Sequence, residues 1–240
     1  MGKTMREVLD ISAYLVVGPE NTGGRPVREI IRAALHAGFT CVQIRSKEAS
    51  ARELIELLRE AAEEIAAAGA SERVALLADD RLDVVLAARK MGIKADGVHV
   101  GQSDIPPEIC RAYLGEDAVV GLSARTDELL AYVRDTDTSM IDYFGAGPLH
   151  ETATKPDCGR DAQGNIITRS FEEIAELASV SKIPVVVGGG VKLPDIPALA
   201  KTGVDGFFVV SAVAGASDPE KAAKDLVTAW KNNKIKTIKS

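Results

Sequence analysis

The chain is poor in cysteine and in histidine, with three of each among 240 residues. Cys41, Cys110 and Cys158 are odd in number, widely spaced and form no CxxC pair, which argues against a disulfide framework and against a zinc site. No Ser/His or Cys/His arrangement points to an activated side-chain nucleophile. No window approaches the roughly 18 consecutive apolar residues of a membrane span, and the opening Met-Gly-Lys-Thr-Met-Arg-Glu lacks the apolar stretch of a signal peptide. Positive charge is not in excess either: a net charge of -6 disfavours nucleic acid and anionic membranes as partners. Linkers rich in Pro, Gly or Ser, low-complexity blocks and composition shifts are missing, so one domain is expected over residues 1–240, ending in a basic tail at 231–240. These absences leave a cytoplasmic globular protein that handles small molecules, with homo-oligomerisation left open.

What is present is a repeat of short β-rich runs and longer amphipathic stretches. Candidate strands lie at 14–17, 41–45, 74–78, 97–100, 119–123, 141–145, 184–187 and 206–211. Most are apolar at nearly every position, as strands covered on both faces should be. Between the second and third, residues 51–68 set Leu54, Leu58, Ala61 and Ile65 on one stripe, while Arg52, Glu53, Glu56, Arg59, Glu60, Glu63 and Glu64 lie mostly off it. Pro26, Pro106, Pro107, Pro194 and Pro219 fall at or near helix starts, where a missing N–H costs little. About eight strand–helix units in a chain close to the roughly 250 residues usual for the type predict an α/β fold, a single (β/α)8 TIM barrel. Its active site is then expected at the C-terminal ends of the strands.

The residues at those ends carry the chemistry. After the second strand come Gln43, Arg45 and Lys47, at alternating positions that face one way if the extended conformation persists. Two cations and an amide there make an anion clamp, set against the plainer reading of charges at a solvent boundary. The third strand runs into Asp79, Asp80 and Arg81, and the fourth is followed by Asp104. Asp80 and Asp104 suit a hard cation such as Mg²⁺, which takes one or two protein carboxylates; an N-cap or an ion pair with Arg81 is the alternative for an isolated aspartate. His99, among apolar neighbours, reads as a hydrogen-bonded core histidine rather than a general base. The sixth strand breaks at Gly145 and Gly147 and delivers Thr152, Thr154 and Lys155, two hydroxyls and an ammonium suited to phosphate. Gly189 and Gly190 after the seventh strand, and Val210 and Ser211 after the eighth, match the phosphate pocket of this barrel type. The connection over 149–170 is far longer than the roughly 2 to 6 residues usual for such loops and is expected to act as a lid over 157–168.

In order along the chain, Gln43-x-Arg45-x-Lys47, Asp80-Arg81, Gly97-Val-His99-x-Gly101-Gln102-x-Asp104, Gly121-x-Ser123, Gly147-Pro148, Thr152-x-Thr154-Lys155, Gly189-Gly190 and Val210-Ser211 resemble the thiamine-phosphate synthase family. The resemblance implies a transferase that joins hydroxymethylpyrimidine diphosphate to a thiazole phosphate and releases pyrophosphate. It also implies that Gln43, Arg45, Lys47, Ser123 and Lys155 hold the diphosphate, with Asp80 and Asp104 as ligands to Mg²⁺. Thr152, Thr154, Gly189, Gly190, Val210 and Ser211 would line the thiazole phosphate side. Arg45, Lys47, Ser123 and Lys155 are the residues expected to act on the leaving group.

Two positions depart from the family pattern. His150 stands where an apolar residue is common, and Asp79 where asparagine is common. An ionised Asp79 accepts hydrogen bonds only and would repel a diphosphate oxygen. Joining Asp80 on Mg²⁺, pairing with Arg45 or Lys47, or protonation would each offset that charge, and the first is the most economical. A thiazole tautomerase-like paralogue and a non-catalytic barrel that binds thiazole phosphate or thiamine phosphate are the competing readings; the full set of cations and carboxylates speaks against both.

Overall fold

The computed structural model describes residues 2–151 and 167–234. Among them, eight strands close in sequence order into a parallel barrel: β1 (Ala13–Val17), β2 (Cys41–Ile44), β3 (Ala75–Asp79), β4 (Gly97–Val100), β5 (Val119–Ser123), β6 (Tyr143–Ala146), β7 (Val185–Val187) and β8 (Gly206–Val209). The helices α1 (Val27–Ala37), α2 (Ala51–Ala67), α3 (Leu82–Lys90), α4 (Pro107–Leu114), α5 (Leu129–Asp135), α6 (Phe171–Val180), α7 (Ile196–Leu199), α8 (Ser211–Ala214) and α9 (Pro219–Asn233) surround it. The (β/α)8 expectation therefore holds, with strand boundaries displaced by no more than two residues from those read in the sequence. No helix among the described residues is long and apolar enough to cross a membrane.

The apolar content of the strands serves two cores. Side chains alternate along each strand, so Tyr14 and Val16 point into the barrel with Cys41, Leu77, Val119, Tyr143 and Val186, while Leu15 and Val17 face the helices. Parallel strands sandwiched this way have no wet face, which is why their sequences show little polar alternation.

Local signals terminate the helices. Ser50 and Glu53 form a capping box at the start of α2, and Ser170 and Glu173 repeat it at α6, each pair satisfying two backbone N–H groups reciprocally. Pro26 precedes α1, Pro106 and Pro107 open α4, and Pro219 opens α9; Pro194 sits in the short 3-10 turn Leu193–Asp195.

One charge departs from the helical pattern. Glu64 is buried rather than off the packing stripe of α2, because Arg28 and Arg32 of α1 reach it at 2.8 Å and 2.8 Å. The Arg32 hydrogen bond, working against burial and helped by Arg28, holds the Glu64 carboxyl below its ordinary value of 4.5. A depressed carboxyl pKa contributes stability above the unfolded value, and that contribution disappears as pH falls through the folded one. Glu64→Gln is therefore expected to lower stability by about 1–2 kcal/mol at neutral pH, the loss expected when charged hydrogen bonds weaken but the arginines stay hydrated. Urea denaturation should show that gap narrowing below about pH 4; a gap independent of pH would rule out an electrostatic role for Glu64.

Candidate active site

At the mouth formed by the C-terminal strand ends, β2 and β3 bring opposite charges together. Gln43, buried on the inner face of β2, donates from Nε2 to Asp79 Oδ1. Arg45 lies just past the last β2 residue, with Nε 3.1 Å from Asp79 Oδ2, and Lys47 Nζ lies 3.5 Å from the same oxygen. Lys47 also bonds Asp80. The three side chains thus all reach Asp79, although β2 ends at Ile44 and Lys47 lies in a bend. Burial works against the Lys47 ammonium, but the Asp80 hydrogen bond and the charges of Asp79 and Asp80 raise its pKa overall. Asp79 is placed between cations in this structure, so of the three ways to offset its charge, pairing with Arg45 and Lys47 is the one its described contacts display.

The chain reverses sharply at Asp80. Its φ is +60°, in the left-handed region that non-glycine residues avoid, and the Arg81 N–H closes back on the Asp79 carbonyl at 2.7 Å. Strain of this kind persists where the surroundings enforce it. Here the Asp80 N–H is held by the His99 carbonyl of β4 at 2.8 Å, and the turn directs the Asp80 side chain toward Lys47 and Asp104. Arg81 pairs with Asp83 instead, at 2.6 Å. Asp104 accepts the Gly101 N–H at 2.9 Å. Burial and a hydrogen bond with Asp80 push the Asp104 carboxyl above its ordinary value, against the Gly101 bond.

The two adjacent carboxyls, with Lys47 bonded to Asp80, present oxygen donors that suit a hard divalent cation. Among the described residues no group of three or more His, Cys, Asp or Glu gathers around a common point. Mg²⁺ does not require one, because water and phosphate oxygens complete its shell. Asp80 and Asp104 fit that ion.

Inside the mouth a polar chain crosses the barrel. Tyr14 donates to Gln43 Oε1 at 2.6 Å and lies 2.9 Å from the Tyr143 hydroxyl. His99 spans the Tyr143 hydroxyl, 2.9 Å from Nδ1, and Ser123 Oγ, 2.9 Å from Nε2. His99 is hydrogen-bonded as the sequence leads one to expect, but it is only partly buried, not within the core. Burial raises the Tyr14 and Tyr143 phenols well above their ordinary pKa, so both stay neutral. Neither tyrosine belongs to a sequence motif that points to the site. A signal existed, since a phenol in an otherwise aliphatic buried strand must find a partner for its hydroxyl.

Four strands around the closed barrel from β3, the end of β7 carries Gly189 and Gly190, with φ of +80° and +73°. A side chain at Gly190 would meet the His150 backbone, whose N–H donates to the Gly189 carbonyl at 3.0 Å. The two glycines thus let the loops after β6 and β7 lie against each other. Val210 and Ser211 occupy the neighbouring turn from β8 into α8. His150 reaches Asp195 at 2.9 Å and remains half-exposed. Thr152, Thr154 and Lys155 lie outside the described residues, as does nearly all of the stretch expected to form a lid.

A family model described as thiamine monophosphate synthase matches residues 13–213. The chain is 38% identical to the thiamine-phosphate synthase of Corynebacterium efficiens, covering 94% of this chain and 98% of that protein. It is 37% identical to that of Moorella thermoacetica, covering 89% and 92%. Among solved structures it is similar to the thiamine phosphate pyrophosphorylase of Pyrococcus furiosus, with a TM-score of 0.76 and 28% identity over 95% of this chain and 98% of that one. A 3-hexulose-6-phosphate synthase at 18% identity and TM-score 0.62 shares the fold, covering 91% of this chain and 99% of that one.

Proposed function

The chain belongs to the thiamine monophosphate synthase family and is a thiamine-phosphate synthase, a transferase, and from that premise we propose how the residues of its barrel mouth divide the work. The substrates under this reading are hydroxymethylpyrimidine diphosphate and a thiazole phosphate. The observation that carries it is the convergence of Arg45, Lys47, Asp79, Asp80 and Asp104 at the ends of β2 to β4, opposite the glycine turn after β7.

Arg45, Lys47, Gln43, Ser123 and Lys155 hold the diphosphate, and the Asp79 carboxylate keeps the Arg45 guanidinium aimed at the mouth. Asp80 and Asp104 hold Mg²⁺, which when bound offsets charge on the diphosphate oxygens. Gly189, Gly190, Val210, Ser211, Thr152 and Thr154 hold the phosphate of the thiazole. Scission of the pyrimidine methylene C–O bond sends its electron pair to pyrophosphate, and Arg45, Lys47 and Lys155 stabilise the charge that develops there. The resulting methylene cation is captured by the lone pair of the thiazole nitrogen, forming the new C–N bond. No side chain has to become a covalent nucleophile. Catalysis rests on charge stabilisation and on holding the two substrates within bonding distance.

The partners are two phosphorylated small molecules in the cytoplasm, with neither nucleic acid nor a membrane surface involved. The deciding assay measures pyrophosphate with each substrate alone and with both, with and without Mg²⁺. Release that requires both substrates and Mg²⁺ is expected. Isomerisation of a thiazole substrate without pyrophosphate would indicate a tautomerase, and saturable binding of thiazole phosphate or thiamine phosphate without turnover would indicate a sensor; either outcome overturns the assignment for this chain.

A further inference from the structure

The polar chain across the barrel has a direction, and Asp79 sets it. The carboxylate is paired with Arg45 at 3.1 Å and offers only acceptors. Gln43 must therefore present Nε2 to Asp79, because the flipped amide would place oxygen against oxygen. Its Oε1 is then turned to Tyr14, which donates its one proton at 2.6 Å. With that proton committed, Tyr14 accepts from the Tyr143 hydroxyl at 2.9 Å. Tyr143 is fully buried and has no proton left for His99, so it accepts from the imidazole Nδ1–H at 2.9 Å. A neutral imidazole with its proton on Nδ1 carries a lone pair on Nε2, which accepts the Ser123 hydroxyl proton at 2.9 Å. Reversing one link would set two donors or two acceptors face to face at the buried Gln43, Tyr14 and Tyr143, the costly arrangement for a hydrogen-bonded network.

We propose that Asp79, acting through Gln43, Tyr14 and Tyr143, fixes His99 in the Nδ1–H tautomer and turns the Ser123 hydroxyl proton inward, making these side chains positioning residues for Ser123. Asp79 thereby acts on Ser123 at the end of β5, two strands around the barrel from its own. One consequence rests on the function proposed above. In the free protein Ser123 presents its lone pairs to the mouth, so donating to a diphosphate oxygen requires it to give up its bond to Nε2. Cutting the chain at Tyr14 removes that constraint.

The test begins with nitrogen-15 NMR of the histidine side chains at a pH well above the ordinary imidazole range, the His99 signals being assigned by their loss in His99→Gln. The wild-type protein should show His99 as the Nδ1–H tautomer alone, and Tyr14→Phe, which keeps the ring and removes one hydroxyl, should give a mixture of tautomers. A wild-type His99 protonated on Nε2, or a tautomer unchanged in Tyr14→Phe, would overturn the proposal. Inorganic pyrophosphate with Mg²⁺ is the probe for the consequence. Tyr14→Phe should bind it about three- to tenfold more tightly than wild type, the span expected for releasing one hydrogen bond, and should show no such gain in a Ser123→Ala background. An equal gain in both backgrounds would overturn the link to Ser123. Wild-type protein that shows the expected tautomers and yet binds no pyrophosphate would overturn the diphosphate reading and leave the directed chain standing.

Discussion

Replacing Asp80 or Asp104 by asparagine is expected to lower Mg²⁺-dependent turnover by about a hundredfold or more, with the fold intact, because a metal's charge stabilisation is worth several kcal/mol. The two carboxyls come from successive strand ends and lie close enough to hydrogen-bond each other, and burial, with that hydrogen bond and the Asp80 charge, pushes the Asp104 carboxyl above its ordinary value. An amide at either position keeps the shape and removes the charge that attracts the cation. The Asp80 variant also loses the charge that pairs with Lys47, so its effect should exceed that of losing a metal ligand alone. Pyrophosphate release should be titrated with Mg²⁺ for both variants, alongside a thermal melt to verify folding. Wild-type activity in both at limiting Mg²⁺ would remove the metal assignment.

The second large effect concerns the barrel interior. Gly121→Ala would put a methyl carbon 2.2 Å from Tyr143 Cζ and 2.3 Å from its hydroxyl oxygen. The neighbour is a rigid ring, and it is tied to both Tyr14 and His99 at 2.9 Å. Accommodating the methyl must therefore displace Tyr143 and break buried hydrogen bonds. Overpacking costs about 1–3 kcal/mol and each buried polar group left unsatisfied a similar amount, so a loss of about 3–5 kcal/mol is expected. For a domain of this size that corresponds to a drop in Tm on the order of 10 °C. Combining Gly121→Ala with Tyr143→Leu should cost less than the sum of the single changes, since the second removes the atoms that clash. Strict additivity, or a melting temperature unchanged by Gly121→Ala, would show that the ring and the glycine do not oppose each other in solution.

Much of this molecule is legible along the chain. Strand positions follow from short apolar runs because parallel strands covered on both faces tolerate few polar residues. The capping boxes at Ser50 and Ser170 are written within four residues, and the α2 stripe of Leu54, Leu58, Ala61 and Ile65 follows from helical periodicity. The grouping of Gln43, Arg45 and Lys47 is readable too, because all three follow one another at the end of a single strand, and in the structure they meet at Asp79.

Other assignments depend on which distant side chains meet once the barrel closes. Glu64 reads as a surface charge because its helical position says nothing of Arg28 and Arg32 on another helix. Asp79 reads most economically as a further carboxylate for Mg²⁺, while register places it beside His99 and turns its oxygens to Arg45 and Gln43. The requirement for glycine at 121 is likewise invisible until Tyr143 is seen lying over it. By itself the sequence determined the barrel, its order of elements and the charges at its mouth, because these follow from periodicity and local chain direction. Only the tertiary structure decided the partners of Glu64, Asp79, Gly121 and His99, because lateral register and closure of eight strands set which interior side chains share a layer.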